Sequence, residues 1–340
     1  MENANNFKYK IVIVRIFVFK KKKMRYINVI ESVFPEPPCD LVRRRAGPAF
    51  LTDRIVTGVF DVKFRRSERL VDMTHYLLEK PRILVPLSFF ADRYQSAKSS
   101  ISEDLTIIKE TFEKRGIGTL QTVPGAAGGV KFISRTDRAE AKEAISELCT
   151  LMENPDRLLP GGYLYMTDLI GSPQVVSKVG KLLATAFADR EIDTIMTVAT
   201  KGIPIAMATA AYLNVPVVIV RNDSKVTEGP TVSINYVSGS QKRIQTMVLS
   251  KRSLREGANV LIVDDFMKAG GTINGMINLL KEFDASVSGI GVLVESEDTK
   301  ERLVDDYVSL VKLRDVDVRS QQIKVVEGNY FSKVSLFGGD

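Results

Sequence analysis

The stretch that decides the fold is Val260-Leu-Ile-Val-Asp-Asp-Phe-Met-Lys-Ala-Gly-Gly-Thr272. Its four apolar residues predict a buried β-strand, and two adjacent acids and a glycine-rich turn follow before the next helix. At the carboxyl edge of a parallel sheet, Asp264 and Asp265 can accept hydrogen bonds from neighbouring sugar hydroxyls. The two glycines let the backbone approach a bulky anion, and Thr272 begins a helix whose N-terminus favours phosphate. The stretch therefore predicts one site for a ribose and its 5′-phosphate.

The carboxy-terminal half of the chain alternates strands and helices, which is typical of a parallel sheet covered on both faces. The predicted elements are helix 172–189, strand 194–199, helix 203–213, strand 215–220, strand 260–263, helix 272–283 and strand 287–294. Ligands of such sheets collect at the carboxyl ends of the strands, so we expect a binding site at the acid pair. An acid-rich loop that only caps a helix is the alternative.

Two further polar stretches are expected beside this site. Thr200-Lys201-Gly202 ends a strand, and its turn and single cation could hold a pyrophosphate; a purely structural turn is the alternative. Asn222 to Ser250 has the pattern of a long hairpin, in which Tyr236 and Lys242 flank a central glycine. Such a hairpin could close over a ligand and exclude water, or be purely structural.

Residues 62–135 have the pattern of a winged helix, with three helices followed by a hairpin. The predicted helices run from a cap at Ser67 to Pro81, over 86–94 and over 97–115, and the predicted strands are 117–123 and 129–133. Ser100 and Glu103 fit a capping box near the start of the third helix, and Gly116 is expected to close it.

The excess of basic residues is confined to the first 135 residues. Counting Lys and Arg against Asp and Glu, the net charge is +6 for residues 1–61, +5 for residues 62–135 and −4 for residues 136–340. A local positive excess indicates a polyanionic partner for that part of the chain. Residues 1–61 show no sustained period, and we expect a non-native or disordered extension there, with a nucleic-acid-binding tail as the alternative.

The cysteine content and the apolar runs bear on location. Cys39 and Cys149 show no pairing pattern and there is no histidine cluster, so we expect a reducing, cytoplasmic location and no structural metal. The apolar run Ile11–Phe19 is too short for a membrane span, and its charges follow it, which is the wrong order for a signal peptide.

The motif around the acid pair resembles the binding motif for 5-phosphoribosyl 1-diphosphate (PRPP) in type I phosphoribosyltransferases. Lys268 stands where those enzymes usually carry Ser, Thr or Ala. Residues 62–340 as a whole resemble the purine operon repressors of Gram-positive bacteria, on stretches such as Phe64-Arg-Arg-Ser-Glu-Arg69, Ser96-Ala-Lys-Ser-Ser-Ile-Ser-Glu-Asp104, Leu159-Pro-Gly-Gly-Tyr163 and Ser233-Ile-Asn-Tyr-Val-Ser-Gly239.

This resemblance implies an α/β protein with a winged helix-turn-helix domain at 62–135, a connecting helix at 136–154 and a phosphoribosyltransferase-like, PRPP-binding parallel-sheet domain at 155–340. It implies a non-catalytic homodimeric repressor that binds paired double-stranded operator elements of purine biosynthesis genes and is released by PRPP as effector, with Mg²⁺ as a companion ion and no other cofactor. The connecting helix is our hypothesis for the coupling or dimer element. The alternative is a purine phosphoribosyltransferase with an interaction module. The run Val292–Glu297 weakens this alternative, because it is acidic where enzymes acting on 6-oxopurines carry a lysine.

The candidate site residues follow from these motifs. Those expected to bind PRPP are Asp264, Asp265, Phe266, Met267, Lys268, Ala269, Gly270, Gly271, Thr272, Thr200, Lys201 and Gly202. Those expected to contact DNA phosphates are Arg65, Arg66, Arg69 and Arg93, and those near the start of the recognition helix are Lys98, Ser99 and Ser102. Ordinary solvated surface charges are the alternative for each arginine, and a protein-interaction module for the winged helix.

Overall fold

The chain divides into two compact units, Met1–Asp61 and Val62–Asp340. In the computed structural model, the described residues are 13–20, 23–30, 64–125, 128–223, 227, 229–237, 244–299 and 301–334. In the first unit, β1 (Ile13–Lys20) and β2 (Lys23–Ile30) pair as an antiparallel hairpin. The expectation of a non-native or disordered extension at residues 1–61 stays a prediction.

The second unit begins with a winged helix, as the pattern predicts. Its elements are α1 (Arg66–Glu79), β3 (Val85–Pro86), α2 (Leu87–Tyr94), α3 (Lys98–Lys114), β4 (Gly118–Val123) and β5 (Gly129–Ser134). The strands form an antiparallel sheet in the order β3-β5-β4. A core of buried side chains holds the helices on this sheet; its largest members are Met73, Leu77, Phe90, Ile101, Phe112 and Phe132.

The helix ends differ from the predicted caps in two places. Ser67 does not cap α1, because the helix begins at Arg66 with Arg65 as its N-cap, and the Arg65 N–H donates to Glu68 at 2.8 Å. Ser100 lies inside the first turn of α3, which begins after Ala97, and the Glu103 carboxylate lies 3.7 Å from Arg66 instead of reaching back to the helix start. The predicted end at Gly116 is confirmed, since this residue is left-handed (φ +63°).

Asp104 joins α1 to α3. Its side chain is fully buried and accepts hydrogen bonds from Arg66 Nε at 2.9 Å and from Arg69 Nε and Nη2 at 3.0 and 2.8 Å. The Arg69 side chain is only 13% exposed, so the pair is largely withdrawn from water. Because an unpaired buried charge is costly, this pair fixes one relative position of the two helices.

The rest of the unit is built around a six-stranded sheet. Its elements are α4 (Arg138–Met152), β6 (Leu158–Leu159), β7 (Tyr163–Leu164), α5 (Thr167–Gly171), α6 (Pro173–Ala186), β8 (Thr194–Val198), α7 (Gly202–Leu213), β9 (Val217–Val220), β10 (Thr231–Val237), β11 (Ile244–Ser250), β12 (Asn259–Met267), α8 (Gly271–Lys281), β13 (Ser286–Ser296), β14 (Val308–Asp317), β15 (Gln322–Glu327) and α9 (Tyr330–Lys333). The strand order is β15-β14-β13-β12-β8-β9, and every neighbouring pair is parallel except β14 with β15.

Two apolar layers cover the sheet. Side chains of α4, α5, α6 and α7 pack on one face, and those of α8 and of the β10–β11 hairpin pack on the other. The predicted fold, a parallel sheet between helices, is therefore confirmed. Strand β12 lies in the middle, so its carboxyl end opens between the ends of β8 and β13.

The winged helix rests on the sheet domain at the end of α6. Arg82, in the turn before β3, donates to the carbonyls of Ala188 and Arg190 at 2.8 and 3.1 Å. Lys181 of α6 donates to the carbonyl of Gly116 at 3.1 Å. The connecting helix α4 instead packs its apolar face into the sheet domain, through Ala141, Ile145, Leu148 and Met152.

Replacing Asp104 with alanine should lower the free energy of unfolding by about 3 kcal/mol, because Arg69 loses its buried partner. Urea unfolding measures this, and amide exchange should quicken in α1 and α3. The matched control is Glu147→Ala, which breaks the half-exposed pair with Lys178 and should cost less than about 1 kcal/mol. Equal losses in the two variants would contradict this role of Asp104.

Candidate functional site

A cleft of about 660 Å³ opens at the carboxyl ends of the central strands. It is lined by all nine predicted residues of the stretch from Asp264 to Thr272 and by Lys201. These residues come from two strand ends that are remote in sequence and adjacent in the sheet, since β8 pairs with β12. The structure therefore brings the two predicted phosphate-binding stretches to one cavity.

The acid pair lies near the carboxyl end of β12. Asp264 is 6% exposed, and its Oδ1 accepts the N–H of Asp265 at 3.0 Å. Burial, and then the charge of Asp265, raises the pKa of Asp264 well above its usual value. Burial also raises the pKa of Asp265, opposed by the hydrogen bond with Asp264 and by the positive charge of Lys201. A ligand that donates hydroxyl groups or brings a cation would stabilise the charged pair.

The glycine turn leads directly into α8. Gly270 is left-handed (φ +81°), and its carbonyl accepts the N–H of Asn274 at 2.8 Å, so the helix starts immediately after it. The first amides of a helix have no partner within it and can bind an anion. The other predicted members differ in exposure: the Met267 side chain is buried in the core, whereas Lys268 is exposed and forms an ion pair with Asp298 at 3.0 Å.

The second predicted stretch contributes mainly Lys201. Thr200 is exposed, and Gly202 is buried as the first residue of α7. A Cβ at Gly202 would lie 2.2 Å from Thr197 Oγ1 and 3.2 Å from Asp264 Oδ1, so only glycine lets this turn approach the acid pair so closely. The Thr197 hydroxyl is buried there without a hydrogen-bond partner in the described part of the chain.

The predicted hairpin forms, as β10 paired antiparallel with β11. Tyr236 is only 9% exposed, and its hydroxyl donates to Gln245 Oε1 at 2.6 Å. Its ring lies beside Gly275 of α8, where a Cβ would be 3.0 Å from it, and burial raises the pKa of this tyrosine. Tyr236 is therefore packed against the helix that starts at the glycine turn. Lys242 lies outside the described residues.

One wall of the cleft was not predicted from the sequence. The turn between β6 and β7 contributes Gly161, Gly162 and Tyr163, and the end of β14 contributes Arg314. Both glycines are left-handed, with φ of +86° and +78°. The Gly-Gly pair is a visible turn signal in the sequence. Its place beside the acid pair is not visible, because β6, β7 and β14 are short or irregular in pattern.

Glu295 belongs to the acidic run that stands where enzymes acting on 6-oxopurines carry a lysine, and its side chain is not free to bind a ligand. Glu295 is 2% exposed, and its Oε1 lies 3.4 Å from Lys312 Nζ and accepts a hydrogen bond from Ser309 Oγ at 3.1 Å. Its Oε2 pairs with Arg302 and accepts from the Tyr307 hydroxyl. The carboxylate is thus fully engaged inside the protein.

The predicted DNA-contacting arginines differ in how they are held. Arg65 is exposed. Arg66 is half-exposed and pairs with Asp104, whereas Arg69 is largely buried in its own pair with Asp104. Arg93 donates to both oxygens of Asp72, at 2.8 and 3.1 Å, and this contact lowers the pKa of that carboxyl group. These contacts favour a structural role for Arg69 and Arg93, and contact with phosphates stays a prediction.

The predicted residues on the recognition helix are available to a partner. Lys98, Ser99 and Ser102 are all exposed in the first turns of α3. Farther along the same helix the exposed charged positions are Lys109, Glu110, Glu113 and Lys114, two of each sign. Charge therefore does not favour contact of that half with a polyanion.

Among the residues that the structure describes, no helix is both long and apolar enough to cross a membrane. Within the same residues, no group of three or more His, Cys, Asp or Glu side chains is placed to hold a metal ion.

A winged helix joined to a cleft with a buried acid pair and a glycine turn defines a class, namely regulators that couple a DNA-binding domain to a phosphoribosyltransferase-like domain. Residues 65–134 match the family model described as "Bacterial purine repressor, N-terminal", and residues 167–327 match "Phosphoribosyl transferase domain". The chain belongs to the PurR family of purine biosynthesis transcriptional regulators.

Relatives and a solved structure show how far the likeness extends. The purine biosynthesis transcriptional repressor PurR of Bacillus subtilis (strain 168) is 66% identical over 269 residues, which cover 79% of this chain and 94% of the relative. The purine biosynthesis transcriptional activator PurR of Lactococcus lactis subsp. lactis (strain IL1403) is 47% identical over 79% of this chain and 99% of its own length. An adenine phosphoribosyltransferase structure from Thermoanaerobacter pseudethanolicus is 27% identical over 49% of this chain and 98% of that one, with a TM-score of 0.43. The prediction of a PurR-type regulator rather than an enzyme is confirmed by the two regulators.

Without ligand, Asp264→Asn should stabilise the protein near neutral pH by on the order of 1 kcal/mol, because it removes a buried charge. The folded-state pKa of Asp264 is raised, so the unfolded chain ionises first as the pH rises from its ordinary value of 3.8. Stability is therefore lost between that value and the raised one, and the gap between variant and wild type should shrink toward acid pH.

Urea unfolding across this pH range measures the gap. The control is Glu256→Gln, an exposed carboxylate whose loss should leave stability nearly unchanged at every pH. A gap for Asp264→Asn that stays constant with pH, or a loss of stability near neutral pH, would contradict the raised pKa.

Proposed function

We propose that this protein represses transcription of purine biosynthesis genes by binding operator DNA through its winged helix, and that PRPP in the cleft releases it. The observation that carries the proposal is one cavity lined by a buried acid pair, a helix N-terminus and Lys201, in the same unit as a winged helix. Repression is chosen over activation because the repressor relative is 66% identical and the activator relative 47%.

The winged helix offers α3 to the major groove. Lys98, Ser99 and Ser102 lie in its first turns, where the positive end of the helix dipole also favours phosphate. The net charge of +5 over residues 62–135 favours DNA over a neutral partner. A homodimer would place two such helices on paired operator elements, and we include it in the proposal.

The cleft offers a matching group for each part of PRPP. The ribose hydroxyls can donate to Asp264 and Asp265, which accept hydrogen bonds best when charged. The 5′-phosphate can bind the amides of the glycine turn and the start of α8, and the pyrophosphate can lie near Lys201. The acid pair and the phosphate oxygens are also the ligands that Mg²⁺ prefers, so the residues fit that ion bound together with PRPP.

Release of DNA requires that PRPP bind one conformation better than the other. A ligand shifts an equilibrium only by its differential affinity for the two states. The cleft lies at the carboxyl ends of the central strands, whereas the winged helix contacts the sheet domain at the end of α6. A change in the cleft must therefore act through the sheet domain on the contacts of Arg82 and Lys181.

The second candidate is a purine phosphoribosyltransferase, which the fold of the sheet domain alone would allow. Phosphoribosyl transfer depends on positioning and charge stabilisation more than on an acid or base, so the site does not exclude it. Assays of pyrophosphate release with xanthine, hypoxanthine, guanine and adenine test it. Turnover at about 1 per second or faster, with no operator binding, would overturn the proposed function.

The double variant Asp264→Ala, Asp265→Ala should keep its affinity for a duplex from a purine operon control region and lose its response to PRPP. The reason is that these acids contact the ribose and lie outside the winged helix. Fluorescence anisotropy with and without PRPP measures both properties. Glu256→Ala, an exposed acid outside the cleft, is the control and should respond like wild type. Loss of operator binding in a folded double variant would mean that the acids also serve the DNA-bound state.

A further inference from the structure

The glycine turn packs against a segment that contains no recognised sequence motif. Residues 301–306, here called the support segment, run without regular structure before β14. The Leu303 N–H donates to the carbonyl of Ala269 at 2.9 Å. Val304 is 5% exposed, and its Cγ2 lies 3.0 Å from where a Cβ of Gly270 would be. The support segment therefore contacts the two residues that precede the first amides of α8.

Arg302 holds the support segment in place. Its guanidinium pairs with Glu295 at the end of β13, donates to the carbonyl of Ser296 at 2.8 Å and lies 5.3 Å from the centre of the Tyr307 ring. The side chain is 21% exposed, whereas Glu295 is 2% exposed. One side chain thus joins an irregular segment to the carboxyl end of β13 through Glu295 and Ser296, and it also contacts Tyr307.

Stability alone does not explain a charged anchor at this place. A buried ion pair costs desolvation, and a well-packed apolar group is often as stable. What the planar guanidinium adds is geometry, because its donors are fixed in one plane and match a carboxylate and a carbonyl at once. The neighbouring pair of Lys268 with Asp298 is exposed at both ends, so it adds little.

We propose that Arg302 is a positioning residue for the phosphate-binding turn. Through Leu303 and Val304 it sets the carbonyl of Ala269 and the left-handed backbone of Gly270, and with them the amides that receive the 5′-phosphate. This inference rests on the proposed function of the cleft. It also assigns a purpose to Glu295, whose buried carboxylate is the fixed end of the anchor.

The cleft has two phosphate-binding parts, and a test can compare the affinity of each for its own ligand. General destabilisation of the fold would weaken both affinities. Ribose 5-phosphate needs the glycine turn, whereas inorganic pyrophosphate needs the stretch at Lys201, which comes from β8. Arg302→Lys keeps the charge and loses the planar fork. We expect it to weaken ribose 5-phosphate by about tenfold or more, since small misplacements of binding groups are costly, and to leave pyrophosphate within about twofold. Isothermal titration of the full-length protein with each ligand measures the split.

A second variant changes the contact with the glycine turn and leaves the ion pair of Arg302 with Glu295 intact. Val304→Ala removes the contact with Gly270 and should show the same split. The matched control is Lys333→Met, which breaks the exposed pair with Asp306 at the far end of the support segment, 3.1 Å between charged atoms, and should change neither affinity.

The outcomes separate this inference from the proposed function. Unchanged ribose 5-phosphate affinity in both Arg302→Lys and Val304→Ala would overturn the positioning role while the proposed function stands. Equal losses for both ligands would also overturn it, because they would indicate a general weakening of the fold. Wild-type protein that binds neither ligand would overturn the proposed function first and this inference with it.

Discussion

The burial of two adjacent carboxylates, Asp264 and Asp265, is the constraint on which the site depends. Burial opposes the ionisation of both, and the charge of Asp265 further opposes that of Asp264, so the apo protein carries an electrostatic cost at the end of β12. Glycine at 202 lets the turn after β8 approach this pair, and the left-handed Gly270 lets the turn after β12 lead directly into α8. In the function proposed above, the hydroxyls of a phosphorylated sugar would face the acids, and its phosphates would face amides and Lys201. Its binding energy would then serve to change the conformation of the protein and not to break a bond.

Under the proposed function, a regulator and an enzyme share this kind of site because both first hold PRPP. The difference lies around it. In this chain an acid near the cleft, Glu295, is enclosed by Arg302, Lys312 and two hydroxyl groups, so it supports the protein and does not meet a substrate. The winged helix is fastened to the end of α6 by Arg82 and Lys181. Through these contacts, ligand binding in the sheet domain can act on the DNA-binding domain.

Much of this organisation could be predicted from the sequence, because strand and helix periods, the acid pair and the glycine turn are local signals. The winged helix and the central strands were predicted within a few residues. The cap at Ser100 was wrong, since Glu103 lies by Arg66, a contact made across two helices. Strands β14 and β15, the wall at Gly161 and Gly162 and the anchor at Arg302 were missed. Each depends on which distant segments become neighbours, and no period or spacing records that.

The most direct test of the central claim is reciprocal linkage. If PRPP releases the operator, then the operator must weaken PRPP binding by the same factor, whatever route joins the two sites. The measurement is calorimetric titration of PRPP into the free protein and into the protein saturated with operator duplex, at one salt concentration. The account predicts weaker binding to the complex, by a factor equal to the loss of operator affinity that PRPP causes. Equal PRPP affinity in the two titrations would contradict it.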